Sequence, residues 1–205
     1  MIICLIRHGE TVFNREERMQ GARDIELSAR GLEEAVALGH RLRAAGIHPR
    51  RIYTSPVKRA HDTARHLGYP VPVVARPAFR ARALGELEGL TRTEIHGRYP
   101  GAMARLIHWD WPPPGGEETL RDMFRRADAG VEEVEREEAA AGLGVIVTHS
   151  GVLEALGRGW LRLEPDQRLP FPMKNAGAIL FSRVEGRWHP GEIIAAGGEG
   201  FADHA

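Results

Sequence analysis

Short apolar runs that stop abruptly constrain this chain most, because they alternate with segments of helical periodicity. Residues 2–6 and 145–148 are such runs, and both are too short for a core helix. Apolar residues also recur at helical spacing over residues 32–42 and 120–134. Strands that alternate with helices predict a mainly parallel sheet with helices on both faces. We therefore expect an α/β fold, built as a three-layer sandwich.

Weaker patterns complete the predicted order of elements. The further predicted strands are residues 51–54, 70–75, 179–181 and 192–196, and we place the last two at or near a sheet edge. Ser28 is predicted to cap the helix over residues 32–42. Ser55 and Pro56 predict an N-cap and a first helical position, for a helix that runs to His66. Two more helices are predicted, one after a capping box of Thr119 with Asp122 and one over residues 152–160.

Residues 80–118 interrupt the alternation. They are rich in glycine and proline and offer only short helical stretches, such as residues 92–97. We expect an excursion that lies over the sheet, within a single domain of residues 1–205. Trp109 and Trp111 belong to this excursion, and they either stack on a ligand or pack the excursion itself.

Charge and composition exclude several classes of protein. Lys and Arg together number 28, as do Asp and Glu. The chain therefore lacks the excess of basic residues that is typical of nucleic-acid-binding proteins. No apolar stretch approaches the length of a membrane span, and the run at residues 2–6 is too short for a signal-peptide core. Cys4 is the one cysteine, which excludes an internal disulfide. We expect a cytoplasmic protein that binds neither nucleic acid nor membrane.

Two of the predicted strands end in histidine. The first apolar run ends in Arg7 and His8, and the run at residues 145–148 ends in His149. Ligands of open α/β sheets bind beyond the carboxyl ends of the strands, so these residues are expected to share one pocket. Arg59, one turn into a predicted helix, is expected near the same edge, where free backbone N–H groups favour an anion. Arginine binds phosphate oxygens bidentately and neutral histidine is a nucleophile, so the set predicts a phosphoryl site.

Further segments extend this pattern along most of the chain. In chain order they are Arg7-His8-Gly9-Glu10-Thr11, Asn14, Gln20-Gly21, Asp24, Leu27-Ser28, Gly31, residues 53–60, Thr63-Ala64, residues 85–89, residues 114–117 and residues 147–149. Together they resemble the histidine phosphatase superfamily, in its phosphoglycerate-mutase-like branch, over residues 1–183. Ordered matches at several separate segments are far more specific than one Arg-His-Gly triplet.

The resemblance implies a role for each matching residue. His8 would accept the phosphoryl group as a phosphohistidine, and Arg7, Arg59 and His149 would bind its oxygens. The remaining pocket residues implied are Asn14, Gln20, Gly21 and Ser150. The resemblance implies neither a metal nor another cofactor, and the partner it implies is a small phosphate ester.

The sequence departs from the family at the proton donor. The family usually has a glutamate four residues before the glycine that is Gly85 here, and this chain has Ala81. The alternative, an aspartate directly after the second histidine, is also missing because Ser150 stands there. We predict that Glu86, in preference to Glu88, supplies the proton.

Three functions remain open from the sequence. The leading one is a phosphomonoesterase that acts through a phosphohistidine. The others are a phosphoglycerate mutase-type phosphotransferase and a weakly active or non-catalytic phosphate-ester-binding relative. Four arginines, Arg23, Arg82, Arg98 and Arg105, would suit an acidic leaving group. Asn175 is either a pocket neighbour or a turn residue, and a homodimer is neither indicated nor excluded.

Overall fold

The computed structural model describes residues 1–164 and 166–195. Its strands are β1 (Ile2–Arg7), β2 (Ile52–Thr54), β3 (Val73–Ala75), β4 (Leu143–Thr148), β5 (Gly177–Val184) and β6 (Arg187–Ala195). Its α-helices are α1 (Val12–Arg15), α2 (Ala29–Ala44), α3 (Lys58–His66), α4 (Arg92–Arg98), α5 (Ala102–Arg105), α6 (Leu120–Glu137) and α7 (Ser150–Leu161). Two short 3₁₀ turns, Pro77–Phe79 and Gly85–Leu87, lie between β3 and α4. Strands and helices alternate as the sequence predicts.

The six strands form one sheet in the order β3-β2-β4-β1-β5-β6. The four strands β1 to β4 run parallel, and β5 and β6 are antiparallel additions on one side. Alternate residues of β1 enter different cores, since Ile3 and Leu5 face α6 and α7 whereas Cys4 and Ile6 face α2 and α3. Because both faces of β1 are buried, its sequence is a continuous apolar run. The prediction of a three-layer α/β sandwich is confirmed.

Several predicted boundaries differ from the structure, and the strand predicted over residues 70–75, for example, begins only at Val73. Helix α3 begins at Lys58 with Val57 as its N-cap residue, so Ser55 and Pro56 lie before the helix. The predicted Ser55 cap was therefore wrong, although the Ser55 hydroxyl does accept a hydrogen bond from the Val57 N–H. Strands β5 and β6 are longer than predicted because positive φ angles at Glu185 and Gly186 join them in a tight hairpin. Ala196, the predicted end of the last strand, lies outside the described residues.

The excursion at residues 80–118 packs around a small apolar cluster of its own. Leu84, Leu87, Ile95 and Ala102 form the buried part of this cluster. Trp109 packs edge-on against Phe124 of α6, with ring centroids 5.7 Å apart, so it packs the excursion. Within the part of the chain that the structure describes, no helix combines the length and apolar character of a membrane span.

Candidate active site

The parallel pairing of β1 with β4 brings the two motif histidines together. Arg7 is in register with Thr148, so His8 and His149 follow at the same edge of the sheet. The His8 N–H donates to the Thr148 carbonyl at 3.0 Å, and the two imidazole rings meet edge-on with centroids 5.3 Å apart. Each histidine is only 3% exposed. The sequence prediction that these residues share a pocket therefore follows from the strand register.

The hydrogen bonds of His8 fix its tautomer. Its Nδ1 lies 2.7 Å from the Gly9 carbonyl oxygen, which only accepts, so Nδ1 carries the proton. Its Nε2 therefore holds a lone pair, which accepts a hydrogen bond from Arg59 Nε at 3.2 Å. Burial, followed by the positive charges of Arg59 and Arg7, lowers the pKa of His8 well below its usual value. The ring is thus a neutral imidazole, and its Nε2 becomes a nucleophile when the hydrogen bond from Arg59 Nε is released.

His149 takes the opposite tautomer through Ser55. Its Nε2 lies 2.8 Å from the Ser55 hydroxyl oxygen, which also accepts from the Val57 N–H. Among the described residues the Ser55 hydroxyl has no other acceptor, so we assign its hydrogen to the bond with Nε2 and the ring proton to Nδ1. Burial and the charge of Arg59 lower the pKa of His149 well below its usual value, so the ring is neutral. Nδ1 is buried without a partner among the described residues, which leaves a donor for an anion.

Arg59 joins His8 to the loop at residues 20–24. It lies in the first turn of α3 and is 2% exposed. Its Nη1 donates to the Arg23 carbonyl at 2.6 Å and its Nη2 to the Gly21 carbonyl at 2.8 Å. Burial lowers the pKa of Arg59 to about 10, against the opposing effect of Asp24 and Glu88. The guanidinium is therefore held rigidly beside the nucleophilic nitrogen.

Arg7 brings a second buried guanidinium to the same place. Its Nη1 donates to the Met173 carbonyl, and its Nε is buried without a partner among the described residues. Burial lowers the pKa of Arg7 to about 10, and only the charge of Glu34 partly compensates. Two poorly compensated cations and a neutral histidine donor favour a multiply charged anion. We call Arg7, His8, Arg59 and His149 the basic wall.

A cavity of about 610 Å³ opens at the basic wall. The other predicted site residues that line it are Asn14, Gln20, Gly21 and Ser150. Its lining also contains four residues with a buried polar atom that no described residue satisfies, namely Arg7, Gln20, Arg82 and His149. Unsatisfied polar atoms are costly in a protein interior, so their concentration in one cavity indicates a polar ligand.

Asn175 proves to be a neighbour of the site. Its amide nitrogen donates to the His8 carbonyl at 3.3 Å and to the Asn14 side-chain oxygen at 3.0 Å. The Asn14 side chain in turn closes a capping box with Thr11 at the start of α1. Asn175 therefore links the segment before β5 to the nucleophile strand and to Asn14.

The structure does not bring Glu86 to the cavity. Its side chain is exposed and accepts a hydrogen bond from the Tyr99 hydroxyl at 2.5 Å. Glu88 is also absent from the lining, because it accepts from the backbone N–H groups of Ala22 and Leu84. Ala81, the position of the family's usual acid, is buried and does line the cavity.

Some lining residues escaped sequence reasoning. Glu154, one turn after Ser150 on α7, lines the cavity and pairs with Arg158 at 2.5 Å. Arg18, Arg92 and Glu17 line it too, although they belong to no motif that the sequence analysis identified. Ser55 lay inside a matching motif, but only its contact with His149 shows what it does. Within residues 1–164 and 166–195, no cluster of three or more His, Cys, Asp or Glu side chains is placed to hold a metal ion.

Known proteins are similar to this chain in sequence and in fold. The chain is 34% identical over 198 residues to a glucosyl-3-phosphoglycerate phosphatase of Mycobacterium tuberculosis, covering 92% of this chain and 87% of that protein. It is 30% identical to a 2,3-bisphosphoglycerate-dependent phosphoglycerate mutase of Brucella melitensis, covering 87% and 90% of the two chains. A solved structure of a mycobacterial glucosyl-3-phosphoglycerate phosphatase with VO₃ superposes with a TM-score of 0.84 at 31% identity, covering 95% of this chain and 99% of that one. Residues 3–193 match the histidine phosphatase superfamily (branch 1), and the chain belongs to that family.

Proposed function

We propose that this protein hydrolyses small phosphate monoesters through a phosphohistidine on His8. One observation carries the proposal: His8 is a buried, neutral imidazole whose Nε2 lone pair lies beside two arginines and a histidine donor. That combination provides a nucleophile and charge compensation at one point. The phosphatase and mutase relatives both act on phosphate esters by name, which supports the substrate class.

The first step forms the covalent intermediate. His8 Nε2 attacks phosphorus, an N–P bond forms, and the P–O bond to the leaving group breaks with its electron pair on oxygen. Arg7, Arg59 and His149 Nδ1 donate hydrogen bonds to the phosphoryl oxygens, whose charge develops in the transition state. The Arg59 Nε–H donates to Nε2 at 3.2 Å before the reaction, so this hydrogen bond breaks as the N–P bond forms and the N–H turns to a phosphoryl oxygen.

The second step returns the histidine to its neutral form. A water oxygen attacks phosphorus, the N–P bond breaks, and inorganic phosphate leaves with the electron pair restored to Nε2. The Gly9 carbonyl holds the Nδ1 proton throughout, so the same tautomer is ready for the next cycle.

The leaving oxygen needs a proton when it is an alkoxide. Ala81 cannot provide one, and Glu86 lies outside the cavity lining. We therefore propose that solvent protonates the leaving group, so esters with good leaving groups react fastest. This assignment replaces the role that the sequence suggested for Glu86.

Covalent labelling tests the proposal directly. Brief exposure to nitrophenyl phosphate should attach an acid-labile, base-stable phosphoryl group, and His8→Ala should abolish both the label and phosphate release. The matched control is His66→Ala, because His66 is exposed at the end of α3 and makes only a local backbone contact. Labelling that survives in His8→Ala contradicts the proposed nucleophile.

The mutase relative supports a second candidate function, phosphoryl transfer between two positions of a phosphoglycerate. A mutase of that kind would depend on 2,3-bisphosphoglycerate, whereas a hydrolase would release phosphate without it. We expect phosphate release without the activator. Binding without turnover of any ester would instead identify a phosphate-ester-binding relative.

The proposal further includes a cytoplasmic location and a single catalytic domain. The lone buried Cys4 is consistent with a cytoplasmic location.

A further inference from the structure

Glu88 is a largely buried carboxylate of the excursion for which the proposed reaction has no use. It follows the 3₁₀ turn Gly85–Leu87, and its side chain is 13% exposed. Burial of a carboxylate is costly unless its oxygens accept hydrogen bonds. Because Glu88 does not line the cavity, its contacts with the rest of the chain must explain why it is there.

Three donors surround the Glu88 carboxylate. Its Oε1 accepts hydrogen bonds from the backbone N–H groups of Ala22 and Leu84, each at 2.9 Å. Its Oε2 accepts from Arg23 Nε at 3.3 Å, but the Arg23 side chain is 52% exposed. An exposed ion pair contributes little, so the two backbone bonds are the contacts that matter. Glu88 therefore ties the loop at residues 20–24 to the excursion.

The loop admits the Glu88 carboxylate at Gly21. A Cβ atom on residue 21 would lie 2.0 Å from Glu88 Oε1, and the φ angle of Gly21 is +53°. Any other side chain would collide with the carboxylate and strain the backbone. The close approach of Glu88 therefore explains why this position of the Gln20-Gly21 motif is a glycine.

The same loop holds Arg59 of the basic wall. The two carbonyls that accept from Arg59 belong to Gly21 and Arg23, and these residues flank Ala22, whose N–H donates to Glu88. The charge of Glu88 also opposes the lowering of the Arg59 pKa by burial. A carboxylate of the excursion is thus connected to the guanidinium beside His8 through three loop residues.

Other contacts would keep the excursion attached without Glu88. The Met19 N–H donates to the Leu90 carbonyl at 2.9 Å, and the Gly89 N–H donates to the Met19 carbonyl at 2.7 Å. These bonds lie just before the loop and do not involve the Glu88 side chain. Loss of that side chain should therefore release residues 21–23 and leave the excursion in place.

We propose that Glu88 is a positioning residue for phosphoryl transfer, which holds residues 21–23 so that their carbonyls fix the Arg59 guanidinium beside His8. The inference rests on the proposed phosphatase function. It assigns to Glu88 neither contact with the substrate nor transfer of a proton. Its effect on the reaction is therefore expected to pass through Arg59 alone.

A double-mutant cycle with Arg59 tests the inference. Glu88→Ala should lower kcat/KM for nitrophenyl phosphate about 10-fold, because a displaced Arg59 keeps only part of its contacts with the phosphoryl group. In an Arg59→Ala background, the same substitution should lower kcat/KM by less than about 3-fold, because the group that Glu88 positions is already gone. Additive losses overturn the proposal, since a general effect on the fold would not depend on Arg59.

Two conservative variants separate position from charge. Glu88→Gln keeps an oxygen for the two backbone N–H groups but loses the charge, so kcat/KM should stay within about 3-fold of the wild type. Glu88→Asp keeps the charge on a side chain that is one methylene shorter, and it should lose activity. If Glu88→Asp is at least as active as Glu88→Gln, the effect is electrostatic and the proposal is wrong. Glu88→Asp also replaces the alanine variant in the cycle if Glu88→Ala does not fold.

Asp110→Ala is the matched control, because it removes a carboxylate of the same excursion that pairs instead with Arg121 of α6. It should leave kcat/KM unchanged, and melting temperatures should show that every variant is folded. If the wild type releases no phosphate from nitrophenyl phosphate, the proposed function itself fails. The dissociation constant for inorganic phosphate then replaces kcat/KM in the same cycle, and additive effects of Glu88→Ala and Arg59→Ala on it overturn the positioning role.

Discussion

The basic wall and the excursion at residues 80–118 form different parts of one cavity and are built differently. The wall comes from the ends of β1 and β4 and the first turn of α3, and its side chains are locked by backbone carbonyls and by Ser55. The excursion consists of short helices and 3₁₀ turns around a small cluster of its own. The side chains with fixed geometry thus lie at the edge of the sheet, and the irregular segment supplies another part of the cavity lining.

Among substitutions in the basic wall, we expect loss of Arg59 to lower kcat/KM more than any other except loss of His8. We expect Arg59→Ala to lower kcat/KM by about 10² or more, because a fixed donor to the phosphoryl oxygens is lost. Arg59→Lys should recover only part, since a point charge cannot replace the planar fork. Steady-state kinetics with nitrophenyl phosphate measures both.

The control for Arg59 is Arg65→Ala, which removes an exposed arginine from the same helix. Melting temperatures must accompany the kinetics because Arg59 also holds the loop at residues 20–24. Wild-type rates in a folded Arg59→Lys variant would show that the bidentate geometry is unnecessary.

The excursion can be altered at the missing acid. Ala81 lines the cavity, so Ala81→Glu should place a carboxyl group there and raise kcat/KM for alkyl phosphates by about 10². Nitrophenyl phosphate should change little, because its leaving group departs without a proton. The measurement is the ratio of alkyl to aryl ester hydrolysis in each variant.

Glu86→Gln is the matched control in this second experiment. Glu86 bonds to Tyr99 at the surface, so its loss should leave the ratio of alkyl to aryl hydrolysis unchanged. A selective loss of alkyl ester hydrolysis in Glu86→Gln would restore the sequence-based assignment and refute the structural one.

Ser55 offers the smallest and most specific change to the basic wall. Ser55→Ala removes the hydroxyl that sets the tautomer of His149, and we expect kcat/KM to fall about 10-fold, the worth of one hydrogen bond. Nitrogen NMR of His149 should show Nδ1 protonation in the wild type and a mixture of tautomers in the variant. Ser55→Thr retains the hydroxyl and should keep the wild-type tautomer. An unaltered His149 spectrum in Ser55→Ala would exclude a role for Ser55 in setting the proton.

Much of the fold could be predicted because local patterns and global structure agree here. The capping box at Thr119 and a short helix that begins at Arg92 appear as local sequence indicated. Ser55 shows where this approach fails: a Ser-Pro pair is typical of a helix start, yet tertiary contact with His149 holds the serine outside the helix. Local propensity is a weak prior that packing overrides.

The sequence by itself determined the α/β alternation and the residues at the strand ends. A short apolar run that stops at Arg7 and His8 forms a buried strand, and the polar residues that end it therefore lie at the edge of the sheet. Tertiary structure alone decided which side chains of the excursion face the ligand. Arg82 and Glu86 are four residues apart, yet one lies in the cavity wall and the other faces solvent. The physical reason is that this segment has no regular period, so packing around Leu84 and Leu87, rather than spacing along the chain, sets the direction of each side chain.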